Sequence, residues 1–127
     1  MATKVDIDKL LSLTRLLRDP EKGCPWDLKQ TFDSVKHCLL DEAQEVIQAI
    51  EKKNIDNLQE ELGDTLFNLI FLINLAEEQG SFTMQSVIDR VYDKMVYRHP
   101  HVFGDKKAKN AQEAYEIFQQ AKREARN

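Results

Sequence analysis

The sequence predicts an all-α fold, a helical bundle of about five helices assembled as a homo-oligomer. Three observations lead there. Apolar residues recur at spacings of three and four along most of the 127 residues. Four glycines and three prolines are too few for a loop-rich or all-β chain. One segment, residues 58–78, is apolar around nearly its whole circumference, which demands cover on every side.

The elements follow in order. Val5 to Arg18 carries Leu10, Leu13 and Leu17 on one stripe, and Asp19-Pro20 stops it, because proline disfavours helix at the residue before it. Residues 19–30 read as a loop containing Gly23, Cys24, Pro25 and Trp26. Thr31 is the predicted N-cap of a second helix reaching Lys52, with a stripe of Val35, Leu39, Ala43, Val46 or Ile47, and Ile50. After a polar turn over 53–57, Asp56 with Gln59 makes a capping-box pattern for the third helix. That helix runs to about Gln79, and Gly80 supplies the residue after its end. Thr83 is the predicted cap of a fourth helix to about Arg98, limited by Pro100, and residues 99–110 read as a second loop. Asn110 with Glu113 caps a last helix, Ala111 to Arg126. In the third helix Leu62, Leu66, Phe67, Leu69, Ile70, Phe71, Leu72, Ile73 and Leu75 exceed what one small bundle can cover. A second copy is the simplest cover, so a homodimer or dimer of dimers is predicted.

Composition narrows the function. The chain reads as a single domain over 1–127, with 42% hydrophobic residues to build its core. Its formal net charge of −4 argues against nonspecific nucleic-acid binding, which needs a basic face. The stretch from Leu66 to Ala76 is too short to span a bilayer, and asparagines interrupt it at 68 and 74. The N-terminus is charged and lacks the apolar segment of a signal peptide. Cys24 and Cys38 make no disulfide framework and read as free thiols. The expectation is a cytoplasmic protein with neither nucleic acid nor membrane as partner.

The most informative residues are four acids in two helical pairs. Glu42 and Glu45 stand three apart, as do Glu61 and Asp64. That spacing places each pair about 60° apart on neighbouring turns, so both members can face one point. On antiparallel neighbouring helices the two pairs can meet. Four acids beside a core repel one another unless a cation holds them. All-oxygen ligands suit a hard ion, Mg²⁺ or Mn²⁺. A di-iron bundle needs Glu-x-x-His on two helices, and position 45 is Glu while position 64 is Asp. Zinc spacing is absent among Cys24, Cys38, His99 and His101. Gly63 costs about 1 kcal/mol in a helix relative to Ala, and is explained where something approaches that backbone closely.

Lys94 and Arg98, four apart on one helix, read either as a solvated basic face or as a phosphate clamp. Trp26, the only tryptophan, either anchors its loop on the core or stacks on a base. Val102 and Phe103, after His99-Pro100-His101, read as core plugs behind a rigid turn.

Together these segments resemble the MazG family of all-α nucleoside triphosphate pyrophosphohydrolases. The matching stretches are Cys24-Pro25-Trp26-Asp27 with Gln30-Thr31, Leu40-Asp41-Glu42-Ala43-Gln44-Glu45-Val46, Glu60-Glu61-Leu62-Gly63-Asp64-Thr65-Leu66-Phe67, and Lys94 through Phe103. Their order and spacing hold from about residue 7 to the end. The resemblance implies Mg²⁺-dependent hydrolysis of a nucleoside triphosphate to monophosphate and pyrophosphate, including noncanonical nucleotides. It implies Glu42, Glu45, Glu61 and Asp64 as metal ligands and Lys94 and Arg98 as phosphate contacts; on chemical grounds one of Glu42 or Glu45 is the expected base. Asp41 stands where the family usually has Glu. Phe118 and Lys122 stand where it commonly has a W-x-x-x-K pattern, and join Trp26 as implied substrate contacts. The signatures are similar to those of the first domain of tandem MazG proteins. The competing reading is a nucleotide-binding or oligomerisation module with little turnover.

Overall fold

The structure, a computed structural model, describes residues 4–126; the reading of the N-terminus rests partly on residues 1–3, which lie outside them. Among the described residues there are seven helices and no strand: α1 (Asp8–Leu17), α2 (Pro25–Leu28), α3 (Phe32–Glu51), α4 (Ile55–Glu78), α5 (Met84–Tyr97), α6 (Pro100–Phe103) and α7 (Ala111–Arg126). The five expected helices are present. The two additional ones are single turns inside the stretches expected as loops. Each begins at a proline, Pro25 or Pro100, whose fixed φ and missing N–H suit a first helical position. Pro100, which reads as the limit of one helix, therefore also starts the next. The chain divides into two compact units, with the boundary between Met84 and Gln85.

In the first unit α4 packs against both α3 and α1. Thr31 caps α3 as expected. Its hydroxyl accepts from the Ser34 N–H at 3.2 Å, and the Ser34 hydroxyl accepts from the Thr31 N–H at 2.9 Å. The turn after α3 is tighter than expected. Lys53 adopts a left-handed φ of 54°, and the Asn54 N–H reaches back to the Ala49 carbonyl at 3.1 Å. Asn54, not Asp56, then caps α4, its side chain accepting from the Asn57 N–H at 3.1 Å. At the other end of α4, Gly80 takes φ +74° and the Ser81 N–H bonds the Ala76 carbonyl at 3.0 Å, closing the helix in the expected place. So short a connection makes α3 and α4 antiparallel.

The core of this unit has two clusters. Leu11, Ile70 and Met84 gather Ile7, Leu10 and Ile73; Val35, Phe71 and Leu75 gather Phe67 and Leu72. One predicted stripe is displaced and another departs only at its end. On α1 the buried residues are Leu11 and Thr14, while Leu13 is 44% exposed. Thr14 tolerates burial because its hydroxyl donates to the Leu10 carbonyl at 2.8 Å. On α3 the stripe holds through buried Val35 and half-buried Leu39, Ala43 and Val46, with Val46 rather than Ile47 turned inward; it ends at buried Ala49 in place of Ile50, which is exposed. Along α4 the buried face runs through Ile70, Phe71, Leu75 and Ala76, and Leu62, Leu66 and Leu69 remain exposed.

In the second unit Asn110 caps α7, accepting from the Glu113 N–H at 2.9 Å while the Glu113 carboxylate accepts from the Lys109 N–H at 3.0 Å. The expectation that Val102 and Phe103 plug the core is wrong. They are 65% and 63% exposed. The helical turn begun by Pro100 fans them outward, and the ring packed on Phe118 of α7 is His99, with ring centroids 5.3 Å apart.

Candidate active site

The hairpin of α3 and α4 pairs positions equally far from Lys53. By residue count Glu45 and Glu61 form one such pair, and Glu42 and Asp64 another. Glu42, Glu45 and Glu61 each offer a carboxylate oxygen, and these oxygens lie within 4.8 Å of one another. Asp64 is not part of that tight triad, although its charge acts on both Glu42 and Glu61. Glu42 and Glu61 are half-buried and Glu45 is exposed. Among the described residues, nothing donates a hydrogen bond to the shielded oxygens Glu42 Oε2 and Glu61 Oε2.

The electrostatics follow from that crowding. The Glu61 carboxyl is pushed up to about 7 from its ordinary value of 4.5. The hydrogen bond that a protonated Glu61 shares with Glu45 contributes most, then desolvation, then the charges of Glu45, Glu42 and Asp64. Glu42 is also pushed up, chiefly by desolvation and then by the charges of Glu45 and Asp64. A carboxylate cluster relieves such repulsion by sharing a proton or by binding a cation. Converging oxygens, two of them shielded and lacking a donor, fit a hard divalent ion. Gly63, between Glu61 and Asp64, would meet nothing of this chain within 4 Å if it carried a Cβ.

The basic and aromatic candidates divide between the units. Lys94 on α5, Arg98 after it, and Phe118 and Lys122 on α7 lie in the second unit. Arg98 sits over the Phe118 ring, 5.7 Å from its centroid, and its Nε is shielded and has no acceptor among the described residues. His101 Nδ1 is similarly shielded and has no partner among the described residues, and its ring is 5.4 Å from that of His99. The His99 Nδ1–H donates to the Met95 carbonyl, which sets its tautomer. Lys94 is exposed and Lys122 half-buried. Trp26 lies in the first unit on α2, 72% exposed, so its indole does not anchor the loop on the core.

Sequence reasoning missed a second polar cluster. Arg18 grips Glu78 with two bonds, Nε to Oε2 at 3.0 Å and Nη2 to Oε1 at 2.6 Å, and buried Asn74 donates to the same Glu78 at 2.9 Å. The asparagine interrupting the most apolar stretch was the available signal. The thiols of Cys24 and Cys38 are free.

The chain matches the MazG nucleotide pyrophosphohydrolase domain over residues 30–103, a stretch that contains all four acids, Lys94 and Arg98. It is 43% identical over 120 residues to the nucleoside triphosphate pyrophosphohydrolase of Escherichia coli K12, covering 94% of this chain and 46% of that protein. It is 48% identical over 98 residues to the nucleoside triphosphate pyrophosphohydrolase/pyrophosphatase MazG of Thermotoga maritima, covering 77% of this chain and 38% of that protein. The chain thus spans less than half the length of these two curated relatives. Among solved structures, a MazG-related protein from Thermotoga maritima matches with a TM-score of 0.75 and 30% identity, over 92% of this chain and 99% of that one. Fold, ordered motifs and relatives agree: the chain belongs to the MazG nucleotide pyrophosphohydrolase domain family.

Proposed function

We propose that this chain hydrolyses nucleoside triphosphates to the monophosphate and pyrophosphate, with a divalent cation held by Glu42, Glu45 and Glu61 and with Asp64 as the fourth carboxylate. The observation that carries the reading is the triad of carboxylate oxygens within 4.8 Å, two of whose shielded oxygens lack a donor. The relatives named nucleoside triphosphate pyrophosphohydrolase support it. A triphosphate is strongly anionic and the chain is acidic, so the substrate and the carboxylates each need a cation between them. Mg²⁺, or Mn²⁺ in its place, supplies charge neutralisation and polarises the α-phosphate.

The residues divide the rest of the work. One of Glu42 or Glu45 takes the proton of the attacking water, whose oxygen bonds the α-phosphorus. The bond from that phosphorus to the bridging oxygen breaks, and pyrophosphate leaves. Lys94 and Arg98 meet the departing charge, Arg98 with a planar fork and Lys94 with a point charge. Trp26 and Phe118 offer faces for the base, and Lys122 a further cation. The whole chain serves as one domain of this activity, in the cytoplasm, acting on noncanonical nucleotides among others. No described helix is long and apolar enough to cross a membrane. A homodimer or dimer of dimers covers Leu62, Leu66 and Leu69, which are 49%, 41% and 43% exposed on the single chain.

The test is a panel of ribo- and deoxynucleoside triphosphates with Mg²⁺, scoring pyrophosphate against phosphate. Pyrophosphate with monophosphate is the expected pair of products. Tight nucleotide binding without pyrophosphate would identify a binding module instead.

A further inference from the structure

The turn that carries Trp26 is fastened by polar contacts to its backbone. The Arg18 Nη1 donates to the Asp27 carbonyl at 2.6 Å and to the Gln30 carbonyl at 3.4 Å. The Gln30 side chain donates to the Trp26 carbonyl at 2.9 Å and accepts from the Ser34 hydroxyl at 2.7 Å. The guanidinium is itself held on its other edge by the Glu78 fork, and it lies over the Phe71 ring, 5.8 Å from the centroid. Asn74, 3% exposed, fixes Glu78 from the same helix. The approach to the turn is equally constrained. The Asp19 carboxylate accepts from the N–H groups of Glu21 and Lys22, both at 2.9 Å. A Cβ at Gly23 would collide with the carbonyl oxygens of Leu17 and Asp19.

Burying the loop's largest apolar side chain would secure it and gain hydrophobic free energy as well. Here the fastening is polar and the indole is left 72% exposed. Arg18 is not left over as an anion site, because Glu78 neutralises it and only 12% of its side chain is exposed.

We propose that Arg18 is a positioning residue, held by Glu78 and Asn74, that fixes the Trp26 turn so that the exposed indole meets the nucleotide base already oriented. The inference rests on the nucleotide reading above. Its consequence is specific. Loosening the turn adds an ordering cost to binding and leaves chemistry alone, so KM rises and kcat does not fall.

Trp26 is the sole tryptophan, so its emission reports the turn without any nucleotide. The experiment is time-resolved anisotropy of Trp26 in the full chain, beside steady-state kinetics with Mg²⁺ and a nucleoside triphosphate. In the unmodified protein the indole should turn with the whole molecule. In Arg18→Lys and Glu78→Gln a local picosecond-to-nanosecond component should appear with helix content unchanged. KM should rise about tenfold, with kcat held within about twofold. In a Trp26→Ala background, Arg18→Lys should add no further rise. Fast local motion dominating the unmodified protein overturns the proposal whatever the variants do. So does unchanged anisotropy in folded variants, or a KM effect that survives Trp26→Ala. Absence of hydrolysis by the unmodified chain sinks the nucleotide reading instead, and the anisotropy still decides whether Arg18 holds the turn.

Discussion

The two ends of α4 hold the same chemical group in opposite circumstances. Near its start, Glu61 faces Glu45 and Glu42 with no donor among them, and its carboxyl is pushed up to about 7. At its end, Glu78 is gripped by Arg18 and Asn74 and is held below its ordinary value, chiefly by the hydrogen bond from Arg18. One carboxylate is left short of positive charge and the other is supplied with it. A helix end that only needs stability is built like the second. An arrangement like the first is relieved by a shared proton or by a cation, and the cation is the reading the α3–α4 acids support here.

The largest effects should come from removing the uncompensated acids. Glu42→Gln, Glu45→Gln, Glu61→Gln and Asp64→Asn should each lower kcat/KM by about 10²-fold or more while the fold persists. Without metal their melting temperatures should hold or rise, because repulsion is relieved. Near-normal turnover by two of them with Mg²⁺ present would break the contrast between the two ends. Arg98→Ala should cost about 10²-fold as well, with Arg98→Lys recovering only part, while metal affinity without nucleotide stays as it was.

Stability should show the reverse ranking. Phe71→Ala should cost about 3–5 kcal/mol, since Phe71 is 3% exposed between Val35 and Leu75 and supports the Arg18 guanidinium. Arg18→Met should cost about 1–2 kcal/mol, less than a fully buried pair, because Glu78 is 40% exposed. Urea unfolding measures both. A loss at Glu61→Gln exceeding that at Arg18→Met would invert the comparison.

Acidity separates the ends by sign. Glu61 binds its proton more tightly in the folded chain, so its contribution is full below about pH 4.5 and is lost as pH rises through about 7. Glu78 does the opposite; its contribution is present above the ordinary carboxylate value and is lost as pH falls through its lowered one. The melting temperature of the metal-free protein should therefore decline between pH 5 and 8, and a divalent ion should restore it. Chelator-treated protein that gains stability over this range would contradict the assignment at Glu61.

The smallest effects concern the backbone. Lys53→Gly should stabilise by about 1 kcal/mol by relieving a left-handed lysine, and Gly80→Ala should destabilise by a similar amount. A Cβ at Gly63 meets no atom of the described residues within 4 Å, so Gly63→Ala should add about 1 kcal/mol of helix preference. Lost assembly or lost turnover in that variant would reveal an approach from outside.

The acids were legible because helical spacing alone aims them. Glu42, Glu45 and Glu61 needed only the premise that two helices run antiparallel. The caps at Thr31, Gly80 and Asn110 were legible for the same reason, since their chemistry is local. What was not legible depends on which helix packs against which. The buried face of α1 centres on Leu11 rather than Leu13, and Ile47 and Ile50 stay exposed. Val102 and Phe103 point outward because Pro100 starts a turn of helix. Arg18 and Glu78 lie sixty residues apart in the chain, and no periodicity connects them. Only Asn74, polar in an apolar run, marked their meeting point.

The central claim, that the α3–α4 acids form a cation site, is tested most directly by titrating Mn²⁺ into the nucleotide-free chain at pH 6 and pH 8. Calorimetry should be run in two buffers of different ionisation heat. Binding should be tighter at pH 8, should release about one proton near pH 6, and should be lost in Glu61→Gln. Equal Mn²⁺ affinity in the unmodified chain and Glu61→Gln, with no proton released at either pH, would contradict it.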